Sequence, residues 1–289
     1  MTARLAVRKT YKLFIGGAFV RSESGRYDRI EGGSAAPGSA GSAAAAGAAA
    51  VNVPRGSRKD IRDAVAAARS ASAGWAARTA YNRGQILYRF AEALESRRAD
   101  IGAPADEVGD AIDVLVHYAG WTDKLHAVLG GINPVAAPFL SFSVPEPTGA
   151  VGLVAPDEPR LLGLVAELAP ALAAGNTVVA VLSEKQPLPG LDLGEVLGIA
   201  DVPGGVVNLI SGRRAELTQA LAGHHALNAL VDASADDALG AEIDKLAAES
   251  VTRVRHAPPT RSYTDAVADP LSRLEAVTEL KTAWHPVGA

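Results

Sequence analysis

The sequence predicts an α/β fold in which a doubly wound parallel sheet follows a set of N-terminal helices. From Gly149 onward, short apolar segments alternate with helical ones, a pattern typical of parallel strands covered on both faces. The predicted strands are 150–155, 177–182, 206–210, 229–232 and 251–254, and the predicted helices are 161–174, 191–198, 214–222 and 236–249. Right-handed crossovers between such strands give a Rossmann-like core, which we assign to residues 150–257.

Composition supports a globular protein and excludes several classes of function. The chain has 289 residues, 48% of them hydrophobic, which is enough for a sizeable core. Its formal charge is −4 with both signs interspersed, so we expect no nucleic-acid partner. No apolar run reaches the length of a membrane span and none follows the basic N-terminus, so we expect a cytoplasmic protein without a membrane partner. With no cysteine, thiolate metal sites and disulfides are excluded.

Two different kinds of sequence precede the helical region. Residues 1–30 contain the segment YKLFIGGAFV, which predicts a hairpin that turns at Gly16 and Gly17. Residues 31–50 are rich in alanine, glycine and serine and carry no large apolar side chain. Such a segment cannot bury enough surface to offset its chain entropy, so a flexible linker is expected there.

Residues 51–137 are predicted to be mainly helical. Ser57 and Asp60 have the spacing of a capping box at the start of the first helix. A second helix is expected over about 81–99, with its apolar side chains in one stripe, and a third over about 110–129 before a pair of glycines.

The sequence on either side of the core looks extended. Residues 138–149 are predicted to hold one strand, and VTELKTAW within 274–289 predicts a closing strand. Residues 258–273 are assigned to a connector between the core and that strand.

Three segments resemble the aldehyde dehydrogenase superfamily. They are EPTGAVGLVAP at 146–156, LAPALAAGNTVV at 168–179 and VPGGVVNLISG at 202–212, and they follow the family's order. The resemblance extends from about Lys12 to Val254 and over the last sixteen residues. It implies a cofactor-binding core flanked by oligomerisation strands, in a family that forms a thiohemiacetal on a catalytic cysteine. After Val254, where the family continues into its catalytic domain, this sequence has about 20 connecting residues and then its tail. The catalytic domain is therefore expected to be missing.

Departures from the family's motifs fall at the positions that carry chemistry. Glu158 stands where the family has the asparagine that donates to the oxyanion, and an ionised glutamate repels that charge. The lysine that reaches the adenosine ribose is absent, although Ser183 and Glu184 remain. Metal ligands are not predicted anywhere in the chain.

The phosphate-binding positions are also altered. Gly212 is retained, but the glycines expected after it fall near Arg214 and Thr218. The family's Phe-Thr-Gly-Ser corresponds to 231–234, which places Asp232 before Ser234. An aspartate close to a pyrophosphate is unfavourable, although Arg213 or Arg214 could compensate. Ser183, Glu184, Gly212 and Ser234 are therefore the candidate cofactor-binding residues of a degenerate site, in which no cofactor is expected and NAD or NADP would bind weakly.

The remaining polar side chains allow two interpretations each. Asp157 and Glu158 could be an acid/base pair, or solvated loop carboxylates paired with Arg160. Asp236 and the aspartate after it could bind a metal, but aspartate more commonly caps a helix. His224 is expected to have a structural or surface role.

Two functions of different classes are consistent with these observations. The first is a catalytically inactive subunit, not an enzyme by itself, that assembles with a full-length aldehyde dehydrogenase or with itself through residues 139–146 and 274–286. The alternative is an NAD(P)-binding module or nucleotide sensor that acts on its own. Loss of the cysteine, the asparagine and the lysine, with both assembly segments retained, favours the first.

Overall fold

Five parallel strands form the centre of the main sheet, close to where the sequence predicts them. The computed structural model describes residues 9–30, 50–257 and 270–287. The parallel strands are β7 (Ala150–Val154), β8 (Thr177–Val181), β9 (Val207–Ile210), β10 (Ala229–Asp232) and β11 (Arg253–His256). They lie in the order β11-β10-β7-β8-β9. Every residue of β7 and β8 is buried, as expected for apolar strands covered on both faces.

Helices cover both faces of this sheet and divide the core into two clusters. One cluster includes the apolar side chains of α5 (Leu162–Ala173) and α6 (Leu188–Leu197), together with those of α2 (Ala80–Ser96). The other includes side chains of α1 (Arg58–Ala76), α7 (Arg214–Ala222) and α8 (Asp237–Ser250). This arrangement confirms the predicted doubly wound α/β core.

The N-terminal hairpin is present and extends the main sheet. Strand β1 (Leu13–Ile15) pairs with β2 (Ala18–Val20), and β1 also runs antiparallel to β9. Gly17, in the turn, has φ +82°, and a Cβ there would lie 2.7 Å from Gly204 Cα. Both the backbone conformation and the close approach therefore require glycine at this turn.

A small ribbon follows the hairpin and leads into α1. It pairs β3 (Tyr27–Ile30) with β4 (Val51–Pro54), and sequence patterns did not predict it. The linker predicted at 31–50 lies, except for Ala50, outside the described residues. The predicted capping box is confirmed: Ser57 Oγ accepts from the Asp60 backbone, and the Asp60 carboxylate accepts from the Ser57 backbone N–H at 2.8 Å.

The third predicted helix is instead two helices. The single helix predicted over about 110–129 is α3 (Ala105–Ala119) followed by α4 (Leu125–Leu129). Thr122 Oγ1 donates to Ala119 O and competes with continuation of α3. Gly84 of α2 packs against this turn, where a Cβ would meet Thr122 Oγ1 at 2.8 Å. A short 3-10 helix (Arg98–Asp100) also follows α2.

A separate sheet contains the two predicted flanking strands. It has the order β12-β6-β5, with β5 (Gly131–Asn133), β6 (Phe139–Pro147) and β12 (Thr278–Pro286). Strand β12 runs antiparallel to β6 over nine residue pairs, from Thr278 opposite Pro147 to Pro286 opposite Phe139. Both extended segments predicted from the sequence are thus strands of one sheet, which we call the assembly sheet after the role that the resemblance implies for its strands.

Of two predicted boundaries near the C-terminus, one is confirmed and one is wrong. The closing strand begins at Thr278, one residue into the predicted VTELKTAW segment, and the end of the predicted connector forms the first part of helix α9 (Pro270–Ala276). The rest of that connector lies outside the described residues. Strand β11 begins two residues later than predicted, because α8 continues to Ser250 and is closed by Val251 in the left-handed conformation at φ 54°.

Helix α9 joins the assembly sheet to the core through buried contacts. Leu274 and Val277 are 0% and 2% exposed, and the Val277 carbonyl accepts from Asn176 Nδ2 at 2.8 Å. The carboxylate of Glu167 lies in the centre of α5, where Arg273 Nε and Arg255 Nη1 approach it at 3.1 and 2.6 Å. Arg273, Leu274, Val277 and Thr278 are therefore buried, whereas Glu275 between them is exposed.

Candidate functional site

The candidate site lies at the carboxyl ends of β7, β8 and β9, where Rossmann-like sheets bind their ligands. Loops after these strands carry Asp157, Ser183 and Gly212, and a cavity of about 310 Å³ is lined by Glu184, Gly212 and residues of the β3–β4 ribbon. Of the four predicted cofactor-binding residues, the cavity brings Glu184 and Gly212 together.

Gly212 is positioned where another residue would not fit. Its φ is +152°, and a Cβ would meet Gly56 N and Leu217 Cδ1, both at 3.0 Å. This turn brings the end of β9 against the segment that leads into α1, so that α7 begins directly above the candidate site. Glycine is thus needed here for the backbone path.

Asp157 is the centre of a partly buried ion-pair network. Its Oδ1 accepts from Ser183 Oγ at 2.7 Å and from Arg214 Nη2 at 2.5 Å, and Lys185 Nζ lies 3.1 Å from Oδ2. Burial alone would raise the pKa of Asp157, but the Ser183 hydrogen bond and the charges of Arg214 and Lys185 outweigh it, so that pKa lies below its usual value. Asp157 is therefore a structural anion and not a free base, and pairing of Asp157 with Arg160 is a wrong prediction.

Glu158 has the environment of an ordinary surface carboxylate. Its side chain is 60% exposed and pairs with Arg160 at 3.2 Å. The interpretation as a solvated carboxylate paired with Arg160 is confirmed for this residue. No hydrogen-bond donor replaces the amide that the resemblance calls for at this position.

Glu184 binds the first turn of α7. Its Oε2 accepts from the Arg214 backbone N–H at 2.7 Å, and its Oε1 accepts from Arg213 Nη1 at 3.0 Å. Arg213 is the N-cap of α7 and makes no side-chain cap of its own. The carboxylate thus satisfies an N–H group that a bound anion would otherwise take.

Ser234 lies apart from the cavity, in the turn before α8. Its backbone N–H donates to Asp232 Oδ1 at 3.0 Å, and its Oγ accepts from the Asp236 backbone at 3.3 Å. Asp236 in turn caps α8, as the sequence predicts. Within the described part of the chain, no group of three or more carboxylate or imidazole side chains is placed to hold a metal.

Asp232 contacts neither Arg213 nor Arg214, which pair with other carboxylates. Its buried carboxylate pairs with His256 Nδ1 at 3.0 Å, and His256 Nε2 lies 3.0 Å from Asp244 of α8. His256 therefore joins β10, β11 and α8. Burial lowers the pKa of His256, but the hydrogen bonds and charges of Asp244 and Asp232 outweigh this, and the pKa is raised.

The His256 contacts predict a pH-dependent contribution to stability. Because the folded-state pKa is raised, the contribution is fully present below the unfolded value of about 6.5 and is lost as pH rises through the folded pKa. His256 is partly exposed, so we expect at most about 1 kcal/mol. Urea unfolding of the native chain and of His256→Gln should show a larger difference at pH 6 than at pH 9. An equal difference at both values would contradict this assignment.

His224 has the structural role expected for it. Its Nδ1 accepts from the Ala226 backbone at 3.2 Å in the turn before β10, and burial lowers its pKa. None of the helices described combines the length and hydropathy of a membrane span.

Sequence reasoning singled out Arg214 but missed its partner, Asp157. Arg214 is only 12% exposed and reaches from the start of α7 to Asp157, and its Nη2 also donates to Ala155 O at 3.1 Å. The signal was visible as consecutive arginines in place of a glycine, but the side-chain partners Glu184 of Arg213 and Asp157 of Arg214 lie 29 and 57 positions away.

Comparison with known proteins gives consistent matches. The sequence profile described as Aldehyde dehydrogenase family matches residues 42–257. The chain is 34% identical over 215 residues to an aldehyde dehydrogenase of Aspergillus niger, covering 69% of this chain and 40% of that protein. It is 31% identical over 220 residues to the mitochondrial aldehyde dehydrogenase of Rattus norvegicus, covering 71% of this chain and 39% of that protein.

Solved structures give the same result. An aldehyde dehydrogenase from Bacillus cereus, determined as its NAD+ complex, superposes with a TM-score of 0.74 at 28% identity. The match covers 86% of this chain and 50% of that one. The chain therefore spans about half the length, or less, of the proteins to which it is similar.

Proposed function

The chain belongs to the aldehyde dehydrogenase family, and on this premise we propose that it is a catalytically inactive subunit that assembles with a full-length aldehyde dehydrogenase. In such a complex it acts as a structural or regulatory partner, and the full-length protein supplies the chemistry.

Two features of the sequence and the site support inactivity. The 289 residues contain no cysteine, so the soft, acidic nucleophile of the family's reaction is lacking. Glu158, in place of the oxyanion-binding asparagine, is an exposed acceptor paired with Arg160. Ionised, it opposes the negative charge that develops on the substrate oxygen. A cytoplasmic location is part of the same proposal.

The assembly sheet is the observation that carries the proposal. Strand β12 is an edge strand, and eight of its nine residues are exposed. Leu280 and Trp284 are each 60% exposed, and Trp284 lies edge-on to Phe139 with ring centroids 6.0 Å apart. An open strand edge with exposed apolar side chains is a ready surface for pairing with another chain.

Strand addition explains how the edge of β12 could bind another member of the family. Main-chain hydrogen bonds along β12 supply affinity that does not depend on side-chain identity, and Trp284 with its apolar neighbours supplies specificity. The same sheet is anchored in the core through α9, so its orientation is fixed before a partner binds. The proposed partner is a full-length aldehyde dehydrogenase of the same cell.

Co-expression followed by native mass measurement tests the proposal. The native chain is expected to form a complex of defined stoichiometry with a full-length aldehyde dehydrogenase. Trp284→Ser should weaken the complex by at least about tenfold, because exposed aromatic side chains are common hot spots of interfaces. Tyr81→Ser is the matched control, since Tyr81 is 73% exposed on α2 and lines a cavity formed with α3, which includes no residue of the assembly sheet.

Two outcomes would contradict the proposal. One is a self-sufficient homo-oligomer that ignores every such partner. The other is NAD-linked oxidation of short aldehydes, or esterase activity, that follows the isolated chain through purification.

The alternative function, an independent NAD(P)-binding module, has less support. The cavity beside Glu184 and Gly212 is about 310 Å³. Four of the five charged side chains that line it, those of Asp28, Glu184, Lys185 and Arg213, have ion-pair partners within the chain. Calorimetric titration with NAD and NADP separates the two functions, because the inactive subunit is expected to bind neither.

A further inference from the structure

We infer that the outer edge of β12 pairs with β12 of a second copy of this chain, antiparallel and centred on Thr282, so that two assembly sheets join into one. This contact is called the self-pairing. No strand in the described part of the chain covers that edge. The inference goes beyond the proposed function, because the self-pairing does not require a full-length partner. Such a partner would have to displace the second copy.

The two halves of β12 are complementary about Thr282. This residue is the midpoint of the nine-residue strand, so only a pairing centred there overlaps the two strands along their full length. Side chains alternate between the faces of a strand, and a two-fold axis through Thr282 places each residue opposite one on the same face. Leu280 then lies opposite Trp284 of the second copy, and the contact recurs on the other side of the axis.

These apolar contacts cover the two large side chains that β12 leaves in solvent. Leu280 and Trp284 are each 60% exposed, and both lie on the face where Thr282 Oγ1 is 2.8 Å from Ser143 Oγ. Aromatic and aliphatic side chains directly opposite each other on neighbouring strands form favourable pairs. Phe139 already lies beside Trp284, with ring centroids 6.0 Å apart, so the self-pairing would extend an existing apolar cluster.

The charges on the opposite face match in the same register. Glu279 lies opposite His285 of the second copy, and Lys281 lies opposite Ala283, so no like charges meet. The Glu279 carboxylate is held by Arg253 at 2.8 Å, and an imidazole N–H can donate to it as well. Centring the pair on Lys281 would instead place that lysine opposite itself, which is unfavourable. Overlap and charge therefore select one register.

A cavity of about 810 Å³ lies beside the end of β12 that is nearest the core. It is lined by strand residues 278–280 together with side chains of β11 and α9. In the self-pairing these residues lie opposite residues 284–286 of the second copy, which are exposed in each chain. The cavity thus offers space for the end of the second strand.

Substitutions at Thr282 test the self-pairing, because this residue alone lies opposite its own copy. Native mass measurement of the purified full chain is expected to show a dimer. Thr282→Glu and Thr282→Lys should each weaken the dimer by at least about tenfold, because two like charges meet at the axis. Mixed in equal amounts, the two variants should form a dimer again, and that dimer should weaken as salt is raised.

Ala283→Glu is the matched control for charge. It adds the same carboxylate one residue away, on the other face and opposite Lys281 of the second copy, so it should not weaken the dimer. Mixing is the control for folding, because both Thr282 variants lose the contact with Ser143 and only a paired dimer can be restored by combining them.

Three outcomes would overturn the self-pairing: a native chain that stays monomeric, a dimer that Thr282→Glu leaves intact, or Thr282 variants that do not recover on mixing. A chain that is monomeric alone but joins a full-length aldehyde dehydrogenase would leave the edge to that partner and keep the proposed function. A dimer that ignores every such relative would contradict the proposed function and leave the self-pairing standing. The two can therefore fail separately.

Discussion

Replacing Glu167 with alanine is expected to lower the free energy of unfolding by about 3–5 kcal/mol. Glu167 lies in α5 with its side chain 1% exposed, between the guanidinium groups of Arg255 and Arg273. Removing the carboxylate leaves two buried cations facing each other without a counter-charge. That penalty is larger than the net contribution of the intact pair, since the pair itself loses most of its Coulomb energy to desolvation.

A surface ion pair provides the control for this prediction. Glu146 pairs with Lys281 across the assembly sheet at 3.2 Å and is 47% exposed. Its replacement by alanine should change stability by no more than about 1 kcal/mol. Urea unfolding gives both free energies of unfolding. If Glu167→Ala lies within about 1 kcal/mol of the native chain, the ion-pair triad of Glu167, Arg255 and Arg273 does not hold α9 against the core.

An apolar replacement of the whole triad separates charge from shape. Combining Glu167→Leu with Arg255→Met and Arg273→Leu removes all three charges and keeps most of the packed volume. The variant should recover most of the stability lost in Glu167→Ala, because well-packed apolar side chains can replace a buried ion group at little cost. If the triple variant does not recover this stability, the loss in Glu167→Ala reflects missing hydrogen bonds to α9 rather than unpaired charge.

Local sequence patterns correctly predicted the structural elements that depend on residues close together in the chain. Strand β8 is a run of β-branched and small residues that are all buried, so its sequence reads directly as a covered parallel strand. The capping box at Ser57 and Asp60 spans three residues, and its two hydrogen bonds form as its spacing predicts. Gly130 ends α4 where the third predicted helix was expected to stop.

Features that depend on contacts between residues far apart in the sequence could not be predicted from local patterns. The break between α3 and α4 depends on Gly84 of a different helix, which allows the Thr122 turn to approach. Helix α5 has no side-chain cap of its own, and its first N–H groups donate to Glu107, more than fifty positions earlier in the chain. In both cases the sequence shows the residue but not its partner, since the contact is set by packing.

At the candidate site, too, the sequence shows the charged residues but not which of them pair. Family resemblance placed Glu184 and Gly212 at the cofactor crevice, and both line one cavity. The sequence left open that Arg213 or Arg214 could compensate the charge of Asp232, whereas the structure pairs Arg213 with Glu184 and Asp28, and Arg214 with Asp157. Asp232 instead has His256, a residue from beyond α8, as its partner. The charges in the sequence suggested that an arginine could neutralise Asp232, but only the strand order shows which carboxylate each arginine can reach.

The C-terminal segment gives the prediction with the largest effect on assembly, because the structure separates its anchoring part from its exposed part. A chain ending after Thr278 loses most of β12 but keeps Leu274 and Val277 in the core. It should fold with a near-native urea midpoint and form no complex with a full-length aldehyde dehydrogenase. If this shortened chain still assembles, the assembly sheet is not the contact surface.

A cut five residues earlier should behave differently. A chain ending after Arg273 also loses Leu274 and Val277, which are 0% and 2% exposed, and leaves Asn176 Nδ2 without the Val277 carbonyl. Loss of two buried apolar side chains should lower the free energy of unfolding by about 4 kcal/mol or more. Comparing the two shortened chains therefore separates a loss of assembly from a loss of folding. Equal stability of the two would mean that α9 does not anchor the sheet, and the fixed orientation on which strand addition relies would be lost with it.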